Sequence, residues 1–359
     1  MISQEEMLEV YKGYGEITVA TLGSHSALQI LKGAKDAGFK TLAICKKGRE
    51  KVYERFGVAD DIMVLDNYGA LVKEDVLSKL KQKGCVFIPH GSLIAYLGVD
   101  KVENELSVPI FGTRGILRWE ADRGLERQWL ESAGVRMPKE SPEPKDISGL
   151  SLVKFPGARG GKGYFIVSSY AEYESKSREM LKKKRLTLED LDNVTIQEYI
   201  PGVNMYISYF HSPLKDEVEL FGMDRRFEAN IDGLTRIPAI DQANNYIEPS
   251  YVVVGNTPLV ARESLLERVF EMGDNLVSVS KKIAPPGIIG PFCLETMVTS
   301  DLEFTAFEIS ARIVAGTNPY IDGSPYSYLL YGSNMSMGRR IALELTRAIE
   351  EGKEDLLLT

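Results

Sequence analysis

The 359-residue sequence is poor in cysteine, and Cys45, Cys85 and Cys293 lie far apart with no CxxC pair. That spacing excludes a disulfide framework and paired-cysteine metal sites. Two of the three sit in apolar, strand-like runs, where a thiol packs as a small hydrophobe. Long uncharged apolar runs are missing, so no transmembrane helix is expected. The start, Met1 to Glu6, is acidic and polar, where a secretory signal needs a basic and then an apolar region. A basic surplus is missing too: 51 Asp and Glu outweigh 43 Lys and Arg, for a net charge of -8. A general nucleic-acid binder wants a basic face, so neither nucleic acid nor membrane is an expected partner. A small phosphorylated substrate needs only a few local cations and is not excluded. Repeats and low-complexity tracts are absent. The rest, 44% apolar and 26% charged, is the composition of an ordinary globular protein. It is long enough for two or three domains and is expected in a reducing cytoplasm.

The most informative stretch runs from Ser151 to Val167. Leu152 and Val153 begin an apolar run ending in Lys154, and Tyr164 to Val167 is a second run of β-formers. Between them lie Gly157, Gly160, Gly161 and Gly163, with Arg159 and Lys162 interleaved. Glycines let a backbone approach a ligand closely, their N–H groups can cradle phosphate oxygens, and the two cations add charge. A P-loop is excluded, because Gly163 rather than Ser or Thr follows Lys162 and a strand comes next. The dinucleotide fingerprint also runs from strand into helix. A hairpin closing over a triphosphate remains, against the plainer alternative of a surface hairpin.

Ahead of this stretch, strands are expected at 17–22, 40–45, 61–65 and 85–88, with helices at 27–37 and 73–82. The alternation implies a parallel sheet, whose ligands sit beyond the carboxyl ends of its strands. Two turns fall there, Gly23-Ser24-His25-Ser26 and Pro89-His90-Gly91-Ser92. Each offers hydroxyls, an imidazole and a helix start, suited to a phosphate or polar head group; the alternative is N-capping by Ser24 and Ser92. Residues 113–133 read as a helix whose charges, Arg114, Arg118, Glu120, Arg123, Glu126 and Arg127, form a solvated face. Pro138 to Pro144 reads as a linker. Helical stretches follow at 171–185 and 187–192, the second capped by Thr187.

Thr195 to Gly202 is a strand broken by Pro201-Gly202, and its end, Gln197-Glu198-Tyr199, can hold an adenine edge and a ribose. Met205–Phe210 and Val218–Met223 read as an antiparallel pair, 224–256 as a polar loop returning to strand at Tyr251, and 262–283 as an amphipathic helix. Two adjacent antiparallel strands come last, at 290–297 and 302–312. They carry Glu295 and Glu308 among apolar neighbours, facing inward by alternation. Two inward carboxylates repel unless they share a proton or a cation. A hard divalent ion bridging substrate phosphates answers that; the alternative is a buried carboxylate paired to an arginine such as Arg312.

Together these pieces resemble the ATP-grasp superfamily: Lys154 ending a strand, the Gly-rich hairpin, Gln197-Glu198-Tyr199, and two glutamates on neighbouring late strands. More closely, the chain resembles the formate-dependent 5-formaminoimidazole-4-carboxamide ribonucleotide (FAICAR) synthetase family of archaeal purine biosynthesis. The match includes Ser24 to Lys35, Ile116 to Glu120, the hairpin, Gly290 to Glu295 and Glu308 to Arg312. The resemblance implies an α/β chain, α+β overall, with an ATP-grasp fold behind an N-terminal Rossmann-like parallel-sheet domain. The expected divisions are 1–125, a lid subdomain at 126–200 and a metal-bearing subdomain at 201–359. It implies a ligase that joins formate to 5-aminoimidazole-4-carboxamide ribonucleotide (AICAR) with ATP cleavage, in a homo-oligomer. Lys154, Gly157, Arg159, Gly160, Gly161, Lys162, Gly163, Gln197, Glu198, Tyr199 and Glu228 would bind ATP. His25, Ser92 and Asn256 would contact the ribonucleotide. Glu295 and Glu308 would hold Mg²⁺ or Mn²⁺, and Arg312, with Lys154, would serve catalysis. Many superfamily members carry an Asn two residues after the second metal glutamate; here that position is Ser310. The ATP half does not encode the acceptor, so a ligase for another carboxylate and amine, or a non-catalytic nucleotide-binding paralogue, stays open.

Overall fold

The computed structural model describes residues 1–155, 164–245 and 251–359. The turn with Gly157, Arg159, Gly160, Gly161, Lys162 and Gly163 lies outside the described residues. The strands form three sheets. In the first, β1 (Thr18–Leu22), β2 (Lys40–Lys46), β3 (Asp61–Leu65) and β4 (Cys85–Phe87) run parallel in the order β3-β2-β1-β4. β1 is buried along its whole length, which is why it reads as one apolar run rather than an alternation. The helices Ala27–Asp36 and Glu74–Gln82 lie close to their expected bounds. All three cysteines are free and buried, as their apolar settings implied.

The helix expected over 113–133 is two, Ile116–Ala121 and Arg123–Ser132. Asp122 parts them: its carboxylate accepts from the N–H groups of Gly124 and Leu125 and so starts a new helix. The solvated face expected there is also corrected in part. Arg114 is buried, donating to the carbonyls of Val102, Leu106, Val108 and Thr359. Five guanidinium donors let one side chain satisfy carbonyls from several segments at once. Glu126 and Trp129 are buried as well.

The second sheet is antiparallel, β5-β8-β6-β7, from β5 (Glu140–Ser141), β6 (Ser151–Lys154), β7 (Tyr164–Val167) and β8 (Thr195–Glu198). β5 comes from the expected linker, and the prolines flanking it confine it to the sheet edge. Thr187 caps the Leu188–Asp192 helix as expected, accepting from the Asp190 N–H.

The third sheet, β11-β10-β9-β12-β13, is antiparallel: β9 (Val203–Ser212), β10 (Glu217–Asn230), β11 (Tyr251–Leu259), β12 (Gly290–Val298) and β13 (Phe304–Ser310). The polar loop expected from 224 is instead the end of β10, which continues to Asn230. Asp224, Arg226 and Glu228 alternate with the more exposed Arg225 and Phe227. A strand facing a polar cleft carries polar residues on the face that elsewhere would be apolar. The helix Leu266–Ile283 packs Val269, Met272, Leu276 and Val277 into the core beneath this sheet.

The last long helix, Met337–Glu351, ties the sheets together. Fully buried Arg340 reaches both oxygens of Glu219 on β10, at 2.9 and 3.0 Å, and Glu344 at 2.7 Å. Removing one partner of such a buried pair costs about 3–5 kcal/mol. On its other side the helix meets Ala27–Asp36 backbone to backbone. A Cβ on Gly338 would lie 1.9 Å from the Gln29 carbonyl oxygen, and one on Gly33 2.2 Å from the Gly338 carbonyl carbon. Gly338→Val should therefore cost about 3 kcal/mol through overpacking. Gly233→Ala, with nothing within 4 Å of its added carbon, should stay within about 0.5 kcal/mol of wild type. Denaturant midpoints read both, and equal midpoints would mean the helices part without cost.

Candidate active site

A cleft of about 830 Å³ lies between the second and third sheets. Seven of the residues expected at the nucleotide and metal line it: Lys154 at the end of β6, Gln197, Glu198 and Tyr199 at the end of β8, Glu228 on β10, Glu295 on β12 and Glu308 on β13. The β8 end is held from both sides. The Glu198 N–H donates to the Lys139 carbonyl at 2.7 Å and the Tyr199 N–H to the Leu150 carbonyl at 2.9 Å. Burial and the nearby Arg123 depress the Lys154 ammonium from its ordinary range.

Tyr206, Glu295 and Glu308 on the cleft floor belong to one row of partnered residues that continues across four strands to the buried Asp224. Asp224 pairs in register with Tyr206, Tyr206 with Glu295, and Glu295 with Glu308. Side chains of partners share a face, so the two glutamates stand side by side, Glu295 buried and Glu308 open to the cleft. The Glu295 charge, with burial second, raises the Glu308 carboxyl above its usual range. Arg226 lies over the Tyr206 ring, 4.0 Å from its centroid, and pairs with Glu295 Oε1. The alternative partner, Arg312, is engaged elsewhere. Among the described residues Glu295 Oε2 is buried with no hydrogen-bond partner, and so is the Ser310 hydroxyl. An orphaned carboxylate oxygen beside a second carboxylate is a hard-oxygen donor set that fits a divalent cation. Among the described residues no group of three or more His, Cys, Asp or Glu could hold a metal ion alone, so substrate oxygens would complete the shell.

Sequence reasoning missed two carboxylates here. Glu126 accepts from the Ile309 N–H at 2.7 Å and Glu120 from the Ala311 N–H at 2.8 Å. Both brace the backbone of β13 beside Glu308. Their signal was weak, since acidic residues on a charged helix read as solvated. Arg226 and Asp224 were missed through the loop reading; their two-residue spacing with Glu228 was the available signal.

The second group of expected residues lies at the carboxyl edge of the first sheet. Ser24 and Ser92 do not cap helices; their hydroxyls bond each other at 3.1 Å. His90 caps the Gly91–Leu97 helix, accepting from the Ser92 N–H at 3.2 Å, and its Nε2 lies 2.9 Å from the Leu22 carbonyl. A carbonyl only accepts, so His90 is neutral with its proton on Nε2. His25 stacks on it at 5.3 Å between ring centroids. His25 has φ 53, in the left-handed region, a strain of about 1–3 kcal/mol that clusters at functional sites. Desolvation, then His90 and Arg312, lower the His25 imidazole from its ordinary value and keep it neutral.

Arg312 and the 3₁₀ turn Ala315–Tyr320 join this edge to the third sheet. Arg312 Nη2 lies 2.8 Å from Glu120 Oε1. A Cβ on Gly91 would sit 3.2 Å from Arg312 Cζ and 3.1 Å from His25 Nε2, so the two side chains crowd the same glycine. Asn318 donates to the His25 carbonyl at 3.1 Å. Gly316 abuts Asp224, which accepts from Asn256 Nδ2 at 2.8 Å. His25 and Asn256 are thus both tied to this turn, His25 through Asn318 and Asn256 through Asp224, while Ser92 is joined to the His25 turn through Ser24.

Among solved structures, N5-carboxyaminoimidazole synthetase from Staphylococcus aureus, complexed with ADP, shares the architecture at TM-score 0.63 and 14% identity, covering 93% of this chain and 78% of that one. So distant a likeness speaks for the fold alone, and that fold is ATP-grasp. The IMP biosynthesis protein PurP from Thermococcus kodakaraensis aligns at TM-score 0.74 and 33% identity, over 95% of this chain and 100% of that one. Residues 172–359 match the family described as a domain of unknown function (DUF1297), and residues 19–141 a protein of unknown function (DUF1246). The 5-formaminoimidazole-4-carboxamide-1-(beta)-D-ribofuranosyl 5'-monophosphate synthetase of Methanocaldococcus jannaschii is 52% identical over 361 residues, covering 100% of both chains. That of Methanosphaera stadtmanae is 51% identical, covering 100% of this chain and 99% of its own. The chain belongs to this synthetase family.

Burial, with the charge of Glu308 second, pushes the Glu126 carboxyl up to about 9. The folded state then binds a proton that the unfolded state has released, so stability falls as pH rises from the ordinary carboxyl range toward that value. Glu126→Gln keeps the acceptor for the Ile309 N–H and removes the titration. It should flatten the decline in urea midpoint between about pH 5 and pH 9; an unchanged decline would mean Glu126 is ionised throughout.

Proposed function

We propose that this chain is an ATP- and formate-dependent ligase that converts AICAR to FAICAR, releasing ADP and phosphate, in IMP biosynthesis. The observation that carries the reading is the join at Arg312. One end of its guanidinium is held by Glu120, beside Glu308, and it crowds the same glycine as His25. A nucleotide cleft and an acceptor pocket thus share a cation, as a reaction carrying an activated group from one to the other requires. Alignment of the named synthetases over the whole chain supports the same reading.

In this reading a formate oxygen attacks the γ-phosphorus, the bond to the β-phosphate oxygen breaks, and ADP leaves. The AICAR amine then attacks the formyl carbon, loses a proton, and phosphate departs. Phosphoryl transfer asks for positioning and charge neutralisation more than covalent help. Lys154, with Gly157, Arg159, Gly160, Gly161, Lys162 and Gly163, holds phosphates. Gln197, Glu198, Tyr199 and Glu228 hold the adenosine end. Glu295 and Glu308 hold Mg²⁺ or Mn²⁺, which when bound neutralises phosphate charge. Arg312 stabilises the transferring group, and His25, Ser92 and Asn256 seat the ribonucleotide. The domain divisions 1–125, 126–200 and 201–359 belong to the same proposal and are supported by the three sheets. So does assembly into a homo-oligomer, for which the exposed Tyr328, Leu329 and Leu330 offer an apolar face. No helix among the described residues is long and apolar enough to cross a membrane. Free, buried thiols support a cytoplasmic setting.

ADP release should require formate and AICAR together; release with another carboxylate or amine instead would overturn the substrate assignment. Glu295→Gln or Glu308→Gln should lower kcat by about 10²–10³ with the fold kept by circular dichroism. His25→Ala should raise KM for AICAR roughly ten- to hundredfold, the loss of one hydrogen bond to a charged group, with KM for ATP unchanged. A fall in Tm alone would make His25 structural.

A further inference from the structure

Asp224 is 1% exposed, yet among the described residues its carboxylate has a single donor, Asn256 Nδ2 at 2.8 Å. Its other oxygen, Oδ1, is buried without a partner. The fold makes room for that oxygen by placing Gly316 against it, where a Cβ would come within 1.9 Å. A buried, half-satisfied carboxylate is unfavourable for stability, so its retention calls for another role. A carboxylate only accepts, whereas an amide has a donor end and an acceptor end. Asp224 therefore turns the NH₂ of Asn256 toward itself and points the Asn256 carbonyl oxygen away. That oxygen has no partner among the described residues. Asn256 stands opposite Arg226 in the β10–β11 register, and Arg226 pairs with Glu295. Asn256 thus lies toward the phosphoryl-transfer end of the acceptor pocket, while Ser24 lies just ahead of the Ala27–Asp36 helix, whose start is the end suited to the acceptor's phosphate. The base of a bound ribonucleotide, which carries the attacking amine, then faces Asn256.

We propose that Asp224 is a specificity-determining positioning residue: it locks Asn256 as a hydrogen-bond acceptor that reads an N–H on the base, selecting a 4-carboxamide over a 4-carboxylate. This rests on the functional reading above. A carboxylate at that place has no hydrogen to give and meets the carbonyl of Asn256 with Asp224 behind it.

The experiment compares kcat/KM for AICAR with that for the analogue carrying a carboxylate in place of the carboxamide. In wild type the ratio should strongly favour the carboxamide. Asp224→Asn keeps the shape but can donate to Asn256, so the amide can turn over and offer its NH₂; the ratio should fall at least tenfold. Gly316→Ala, which crowds Asp224 Oδ1, should shift it the same way. In an Asn256→Ala background, Asp224→Asn should no longer change the ratio. A merely structural Asp224 would lower turnover of both substrates alike and leave the ratio fixed, which overturns the proposal. So does an equal shift without Asn256, since the charge would then act directly. Wild type that turns over neither compound would instead overturn the functional reading, and this inference with it.

Discussion

Glu295 and Glu308 are partners across β12 and β13, and two negative charges so placed in a largely buried setting need a positive one. Much of the surrounding structure answers that need. Arg226 crosses from β10 over the Tyr206 ring to reach Glu295. Glu126 is kept protonated by burial and by the nearby Glu308, while Glu120 spends its oxygens on a backbone N–H and on Arg312. Arg226 thus supplies positive charge to the row of carboxylates from a strand two places away.

The carboxyl edge of the first sheet is built on a different principle. It uses few charges and many restraints: a left-handed backbone at His25, a stacked imidazole pair, two serines bonded to each other, and a glycine that admits both Arg312 and His25. A neutral His90 holds the end of β1 and the following turn together, which leaves His25 as the more exposed ring of the pair. The two turns look alike in sequence, yet one imidazole is scaffold and the other faces outward.

Much of this was legible beforehand. The parallel sheet declared itself by apolar runs alternating with amphipathic helices, and the two late glutamates by their place among apolar neighbours. What escaped notice did so for physical reasons. A strand bordering a polar cleft carries Asp224, Arg226 and Glu228 where a strand elsewhere carries apolar residues, so the end of β10 read as loop. Arg114 and Glu126 are buried although their helical stretch is rich in charge; only the tertiary fold reveals which carbonyls and N–H groups receive them. One long helical pattern hid a break because Asp122 is compatible with a helix interior and with a cap. Pairing choices, such as Arg226 rather than Arg312 for Glu295, depend on strand order, which no local pattern encodes.

The glycine contact between Ala27–Asp36 and Met337–Glu351 bears on motion. Two helices touching through their backbones have no side chains between them to act as bearings. The Met337–Glu351 helix is also fixed to β10 through Arg340. The first and third sheets are therefore linked through the two sides of one helix. A side chain added at Gly33 or Gly338 would therefore push the helix of the first sheet away from the third, although the two glycines lie at opposite ends of the chain.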